Sequence, residues 1–136
     1  MASFPYTTTP NSNPRPIVKV QVSSLDGEYV RYPYMLVDSG ADITVINIEL
    51  EELLGVDLKN CKVSEITGVG GAKLKAYQTR LHIRLQDNST ISDVVFAELT
   101  EKGYGMLGQK GFFEFYKITF NGGKKKFSIE SPYSIQ

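Results

Sequence analysis

Residues 34 to 46 read YMLVDSGADITVI, and this stretch constrains the fold more than any other. Two short apolar runs, Met35 to Val37 and Ile43 to Ile46, flank a polar break of five residues. Each run has the length and β-branched content of a buried strand. The residues between them, Asp38 to Asp42, must then turn the chain sharply. Asp38 therefore stands at the end of a buried strand, partly withdrawn from water. Ser39 offers a hydroxyl that can brace the turn, and Gly40 permits a backbone bend and close approach by a ligand. A lone D-S-G also serves as a plain turn in which the aspartate caps backbone amides.

The flanking sequence is strand-rich. In IVKVQV, Val18, Val20 and Val22 share one face of a strand. Asp26-Gly27 suits a tight primed hairpin turn, with Tyr29 to Val37 returning as strand and Pro33 marking an edge or local break. NIELEELLG predicts a short helix with Asn47 as its N-cap, Ile46, Leu50, Leu53 and Leu54 on one face, and Gly55 at its stop. Two strands joined by a glycine-rich tip follow in VSEITGVGGAKLKAYQTRLHIRL. The apolar positions there change phase, from Leu74 and Ala76 to Leu81, Ile83 and Leu85, which predicts a bulge or a handover between sheets near Tyr77 to Thr79. A strand at TISDVVFAEL, an apolar strand and helical turn in GYGMLGQKGFFEFYKITF, and a last hairpin at NGGKKKFSIE complete a mostly β fold with one short helix. The phenylalanines at 112, 113, 115 and 120 read as core.

With 136 residues the chain accommodates one domain. Residues 17–130 are expected to form it, with 131–136 as a C-terminal tail. The first sixteen residues hold four of the six prolines and read as a flexible or extended arm without the features of a signal peptide. Fifteen basic residues balance fifteen acidic ones, so nucleic acid and anionic membranes are not expected as partners. No apolar stretch approaches a membrane span, and a cytoplasmic location is the expectation. Cys61 is the only cysteine and His82 the only histidine. Neither has the company that a thiol nucleophile or a metal site requires, and no metal or other cofactor is expected. Lys124 to Lys126 read as a solvated hairpin end, and GVGG completes no phosphate-loop pattern.

Three stretches in order, LVDSGAD, ITGVGGAK and MLGQKGFF, make the chain resemble the retropepsin-like aspartic proteases, over about Ile17 to Glu130. The helical segment after the D-S-G turn is closest in pattern to cellular and microbial members. The resemblance implies a closed, barrel-like β lobe that works as a two-fold homodimer on an extended peptide substrate. It implies Asp38 as the catalytic residue, Ser39 and Gly40 as support for the paired loops, and Gly40, Ala41 and Asp42 as contacts for substrate. Val69, Gly70 and Gly71 match the tip of the family's flap. Aspartic proteases set two carboxylates against one water, and close like charges share a proton. Asp26-Gly27 lacks the apolar strand before it and the alanine after it, so the second acid is expected from another copy of Asp38. A mildly acidic optimum is expected, and Phe4-Pro5 is a conceivable self-processing site. IVKVQV and KKFSIE are the candidates for terminal strands exchanged between subunits. One departure stands out: family members often carry arginine after the apolar-apolar-Gly motif, paired with an acid like Asp42, where this chain has Gln109 followed by Lys110. A binding or dimerisation module that keeps the fold without cleaving is the alternative.

Overall fold

The computed structural model describes residues 2–8, 13–29, 34–67, 71–99 and 104–131. In chain order the strands are β1 (Ala2–Pro5), β2 (Ile17–Lys19), β3 (Gln21–Ser23), β4 (Tyr34–Val37) and β5 (Thr44–Asn47). A helical segment follows, and then β6 (Lys62–Thr67), β7 (Lys73–Leu85) and β8 (Asn88–Ala97). The last three are β9 (Tyr104–Leu107), β10 (Lys117–Asn121) and β11 (Lys126–Glu130). The expected mostly β fold with one short helix is what forms.

The main sheet runs β2-β4-β9-β5-β8-β7-β3, with β6 paired to β7. Its two ends, β2 and β3, are separated in sequence by Val20 alone, so the sheet curls until both ends belong to one run of chain. Val18, Val20 and Val22 from that run all enter the principal core, as the period-2 pattern predicts. The ladder nevertheless does not close. β2 bonds to β4 and β3 bonds to β7, but β2 and β3 lie end to end, and the expected closed barrel is instead a curled open sheet.

The phase change along β7 comes from a change of covered face. Its pairings to β6 and to β8 run in unbroken register, Lys62↔Gln78 to Thr67↔Lys73 and Tyr77↔Phe96 to Leu85↔Asn88, without a bulge. Ala76 packs with Val45, Val95 and Ala97 in a small second cluster. Leu81, Ile83 and Leu85 pack into the principal core on the opposite face. Successive strand side chains point to opposite faces, so moving the buried face shifts the apolar positions by one. The handover is thus between neighbours within one sheet.

The helical segment starts as a 3-10 turn over Ile48–Leu50, capped by Asn47 Oδ1 accepting from the Glu49 amide at 3.4 Å. It ends as one α turn, α1 (Glu51–Leu54), with Gly55 left-handed at φ 68°. Leu54 is buried, but Leu53 is 69% exposed and does not share the packed face. A 3-10 turn advances 120° per residue rather than 100°, so a regular helical spacing misplaces positions beyond it.

Elsewhere the described residues depart from expectation at Asp26-Gly27 and at Phe120, and the N-terminal arm takes the extended of its two expected forms. Among the described residues only Gln86, Lys125, Gly55, Gly71 and Gly111 have positive φ, so Asp26-Gly27 is not a primed turn. Gly27 N–H instead donates to the Ser24 carbonyl at 3.2 Å. Residues 30–33 of the expected return strand, Pro33 among them, lie outside the described residues, and the strand is seen over Tyr34–Val37. Ala2–Pro5, within the arm read as flexible or extended, is a strand antiparallel to β11 in a second sheet ordered β1-β11-β10. Phe4 stacks on Phe127 with ring centroids 5.4 Å apart, and Tyr6 lies 6.0 Å from the same ring. β11, a candidate for exchange between subunits, therefore has both its edges occupied within the chain. Phe112 is buried and Phe113 and Phe115 pack against the core, but Phe120, opposite Phe127 on the edge strand β10 with ring centroids 6.3 Å apart, is 41% exposed. Lys124 to Lys126 are exposed at the last hairpin, as expected. No helix among the described residues is long and apolar enough to cross a membrane.

Phe127 joins the small sheet to the principal core and is almost fully buried. Phe127→Ala is expected to destabilise the fold by about 3–5 kcal/mol. Leu53→Ala, at an exposed position, should change stability by less than about 0.5 kcal/mol. Urea unfolding at one protein concentration compares the two.

Candidate active site

The D-S-G turn is held by a strand from far along the chain. β9 lies between β4 and β5, parallel to the first through Leu36↔Met106 and Val37↔Leu107, and bridged to the second through Val45↔Met106. Beyond β9 the chain continues beside the turn. Asp38 N–H donates to the Leu107 carbonyl at 3.0 Å, Gln109 N–H to Ala41 at 2.9 Å, and Lys110 N–H to Asp42 at 3.0 Å. Thr44 N–H returns a bond to the Lys110 carbonyl at 2.9 Å. Residues 38–44 are thus fastened to 107–110 almost peptide by peptide, satisfying backbone groups that an isolated turn would leave to water.

Gly108 makes this approach possible. A Cβ there would lie 2.6 Å from the Ile43 carbonyl carbon and oxygen and 2.8 Å from the Ala41 oxygen, all of them backbone atoms. Any side chain would push the strand off the loop. Thr44 completes the joint: it is fully buried, and its Oγ1 accepts from Gly108 N–H at 3.1 Å. Sequence reasoning passed over Thr44 because threonine is ordinary in a β-branched run. Its one distinguishing sign is a hydroxyl inside an otherwise apolar buried strand.

Asp38 is half-buried, and its Oδ1 accepts from Gly40 N–H at 3.0 Å. The capping arrangement of a plain turn is therefore present, and it orients the carboxylate. Gly40 has no positive φ. Its value is room rather than bend, since a Cβ there would lie 3.3 Å from Asp38 Oδ1. Ser39 and Asp42 are exposed beside it, and Ala41 is half-buried. Among the described residues no ion pair reaches Asp42. Lys110 Nζ lies 3.9 Å from Asp93, which also meets Arg80 Nε at 3.4 Å. Gln109 turns its side chain to the loop, with Nε2 donating to the Ser39 carbonyl at 2.8 Å.

The hairpin of β6 and β7 closes at Thr67↔Lys73. Gly71 near its tip is exposed and left-handed at φ 81°, a conformation suited to glycine. Val69 and Gly70 lie outside the described residues. The hairpin and the loop meet in the second apolar cluster, where Ile66, one residue before the closing pair, packs with Ile43 and Met106 around Val45, Ala76, Val95 and Ala97. One half-exposed apolar surface therefore runs from the D-S-G turn to the glycine-rich hairpin.

The family model for retroviral aspartyl proteases matches residues 12–110, most of the chain. The chain belongs to the retroviral aspartyl protease family. Two solved structures share its fold. A retropepsin-like aspartic protease from Rickettsia conorii aligns over 95% of this chain and 98% of its own, at 16% identity and a TM-score of 0.62. EIAV protease, solved in complex with the inhibitor HBY-793, aligns over 75% of this chain and 88% of its own, at 21% identity and a TM-score of 0.54. No curated protein sequence matches the chain significantly.

In this retroviral-type fold the other reactive side chains stand apart. Cys61 Sγ donates to the Asp57 carbonyl at 3.6 Å. Burial pushes its thiol up, with Asp57 and Glu51 adding to the rise and a hydrogen bond with Thr79 opposing it, which disfavours the thiolate a nucleophile needs. His82 is half-buried on β7, its ring 6.3 Å from that of Tyr29. Among the described residues no group of acids, histidine and cysteine could hold a metal ion.

Thr44→Val keeps the shape of the buried side chain and removes its acceptor. Gly108 N–H would then be left unpaired in a dry joint, and we expect a loss of about 1–3 kcal/mol. Thermal or urea unfolding measures it.

Proposed function

We propose that the chain is an aspartic endopeptidase whose active site forms from two copies of Asp38, one in each subunit of a homodimer. The observation that carries this reading is the loop itself: a carboxylate oriented by Gly40 N–H, on a turn fixed by residues 107–110, occurring once per chain. Membership of the retroviral aspartyl protease family supports the chemistry. General acid–base hydrolysis of this kind needs two carboxylates against one water, and a second copy related by two-fold symmetry supplies the other.

In the proposed reaction one Asp38 carboxylate removes a proton from the water held between the pair. The water oxygen attacks the peptide carbonyl carbon, and the second Asp38, protonated, donates its hydrogen to the developing oxyanion. The tetrahedral intermediate collapses as a proton passes to the amide nitrogen, the C–N bond breaks, and acid and amine leave. Neither metal nor organic cofactor enters these steps. Ser39 and Gly40 support the paired loops, and Ala41 and Asp42 meet the substrate main chain. The tip formed by Val69, Gly70 and Gly71 closes over it. The substrate lies extended, so its main chain bonds like an added strand. The apolar surface of Ile43, Ile66 and Met106 offers burial to an apolar substrate side chain beside the cleaved bond.

Cleavage of a peptide library by the wild type and by Asp38→Asn, from acidic to neutral pH, tests the chemistry. Asp38→Asn should lower kcat/KM by about a thousandfold or more while leaving folding and dimerisation intact. Equal cleavage by both proteins would mean a contaminating protease. Silence from a folded wild-type dimer would leave a binding module. Because each subunit brings one carboxylate, specific activity should fall on dilution in step with the dimer fraction seen by sedimentation. Activity that stays constant in the monomer would exclude the shared site.

A further inference from the structure

The peptide that joins Ser39 to Gly40 is held differently from its neighbours in the loop. Ala41 N–H donates to the Asp38 carbonyl at 3.1 Å and so joins the peptides on either side of it, while the backbone bonds from Asp38, Ala41 and Asp42 to residues 107–110 fasten peptides further out. Its own two groups are met by side chains. Gly40 N–H donates to Asp38 Oδ1 at 3.0 Å, and the Ser39 carbonyl accepts from Gln109 Nε2 at 2.8 Å. A peptide is a rigid plane, and in the trans form its carbonyl and N–H point in opposite directions. Whatever fixes the Ser39 carbonyl therefore fixes the direction of the N–H that orients the Asp38 carboxylate.

We infer that Gln109 is a positioning residue: its side-chain amide, by holding the Ser39 carbonyl, sets the plane of the peptide that aims Asp38. This role rests on the protease reading above. Gln109 is well placed for it because its own main chain is fixed, with its N–H bonded to the Ala41 carbonyl at 2.9 Å and its carbonyl accepting from Glu114 N–H at 3.1 Å. Little more than the side-chain torsions remains to be ordered. The bond also polarises the peptide, since a donor on the carbonyl makes the N–H at the other end a stronger donor to the carboxylate. The Ser39 carbonyl can only accept, so the chemistry at position 109 must be donation. Glutamine and arginine meet that requirement, whereas an ionised glutamate or a leucine does not.

Three variants separate this role from bulk stability. Gln109→Leu removes the donor, Gln109→Glu keeps the shape and replaces the donor with an acceptor, and Gln109→Arg keeps a donor of sufficient reach. With a substrate selected from the library, Gln109→Leu and Gln109→Glu should each lower kcat about tenfold, the effect of one lost hydrogen bond, with KM changed less than about twofold. Gln109→Arg should restore most of that loss. In NMR spectra at fixed pH, the Gly40 amide proton should shift and exchange faster in the leucine and glutamate variants than in the wild type. An unchanged kcat in Gln109→Leu, or an arginine variant as impaired as the leucine one, would overturn the assignment. A wild type that cleaves no peptide would remove the protease reading, and the Gly40 signal would still decide the brace: an unmoved amide in Gln109→Leu and Gln109→Glu refutes it. Should Gln109→Leu fail to fold, the near-isosteric Gln109→Glu carries the same comparison.

Discussion

The site depends on the backbone pairing of residues 38–44 with residues 107–110. These segments are separated by more than sixty positions in sequence, yet they exchange main-chain bonds along most of their length. The turn itself is part-exposed, but it runs into buried Thr44 against buried Leu107 and Gly108, where an unpaired amide or carbonyl would cost about 1–3 kcal/mol. β9 meets that need by entering between β4 and β5, so the strands on either side of Asp38 are not neighbours of each other. The insertion fits only because Gly108 passes its backbone within contact of Ile43 and Ala41. The position of the carboxylate is thus a consequence of main-chain bonding, and side chains in the loop are free for other work.

β7 links that joint to the less densely packed hairpin with β6. Its second half is clasped by β8 and β3 and buries Leu81, Ile83 and Leu85 in the principal core. Its first half carries β6, which pairs only with β7 among the described strands and shows Val63 half-exposed. Local opening is easiest where few buried contacts and few neighbours resist it. β6 has that character, with only β7 beside it among the described strands and most of its residues exposed, while Ile66 ties it to the same small cluster as Ile43 and Met106. One continuous strand therefore serves both the principal core and the second cluster. The shift of its apolar positions records the place where one covered face gives way to the other.

Much of this was legible because it depends on local pattern. Alternation located Val18, Val20 and Val22, the apolar runs located β4 and β5, and Asn47 and Gly55 marked the ends of the helical segment. What was hidden depended on partners. Nothing in Ala2–Pro5 announces a strand, because its order comes from β11 and from Phe127 beneath Phe4 and Tyr6. Leu53 and Phe120 are apolar but exposed, since a mixed 3-10 and α segment displaces the expected face at one and the edge strand β10 leaves the other uncovered on one side. At Asp26-Gly27 the dipeptide suited a primed turn, but β3 before it pairs with β7 and β4 after it pairs with β2, so the two flanking strands form no hairpin for it to close. At Gly40 the backbone takes no positive φ, so of the bend and the room expected there it is room, beside the Asp38 carboxylate, that the structure uses. Thr44 and the side chain of Gln109 could be found only once the two distant segments were seen side by side.

Gln109 follows Gly108, and the nearest basic side chain is engaged elsewhere. Lys110, one residue on, points to Asp93 together with Arg80, and that exposed cluster contributes little to stability. Asp42 has no ion pair among the described residues, which leaves its carboxylate accessible at the edge of the loop. A guanidinium at position 109 would bring a full positive charge to a site where two carboxylates are proposed to share one proton. Fixed charges near such a pair alter how readily it shares. The neutral amide of Gln109 supplies the donor that the Ser39 carbonyl requires and adds no net charge. The loop is therefore braced by a dipole rather than by an ion pair, and its geometry need not change when ionic strength or the protonation of Asp42 does.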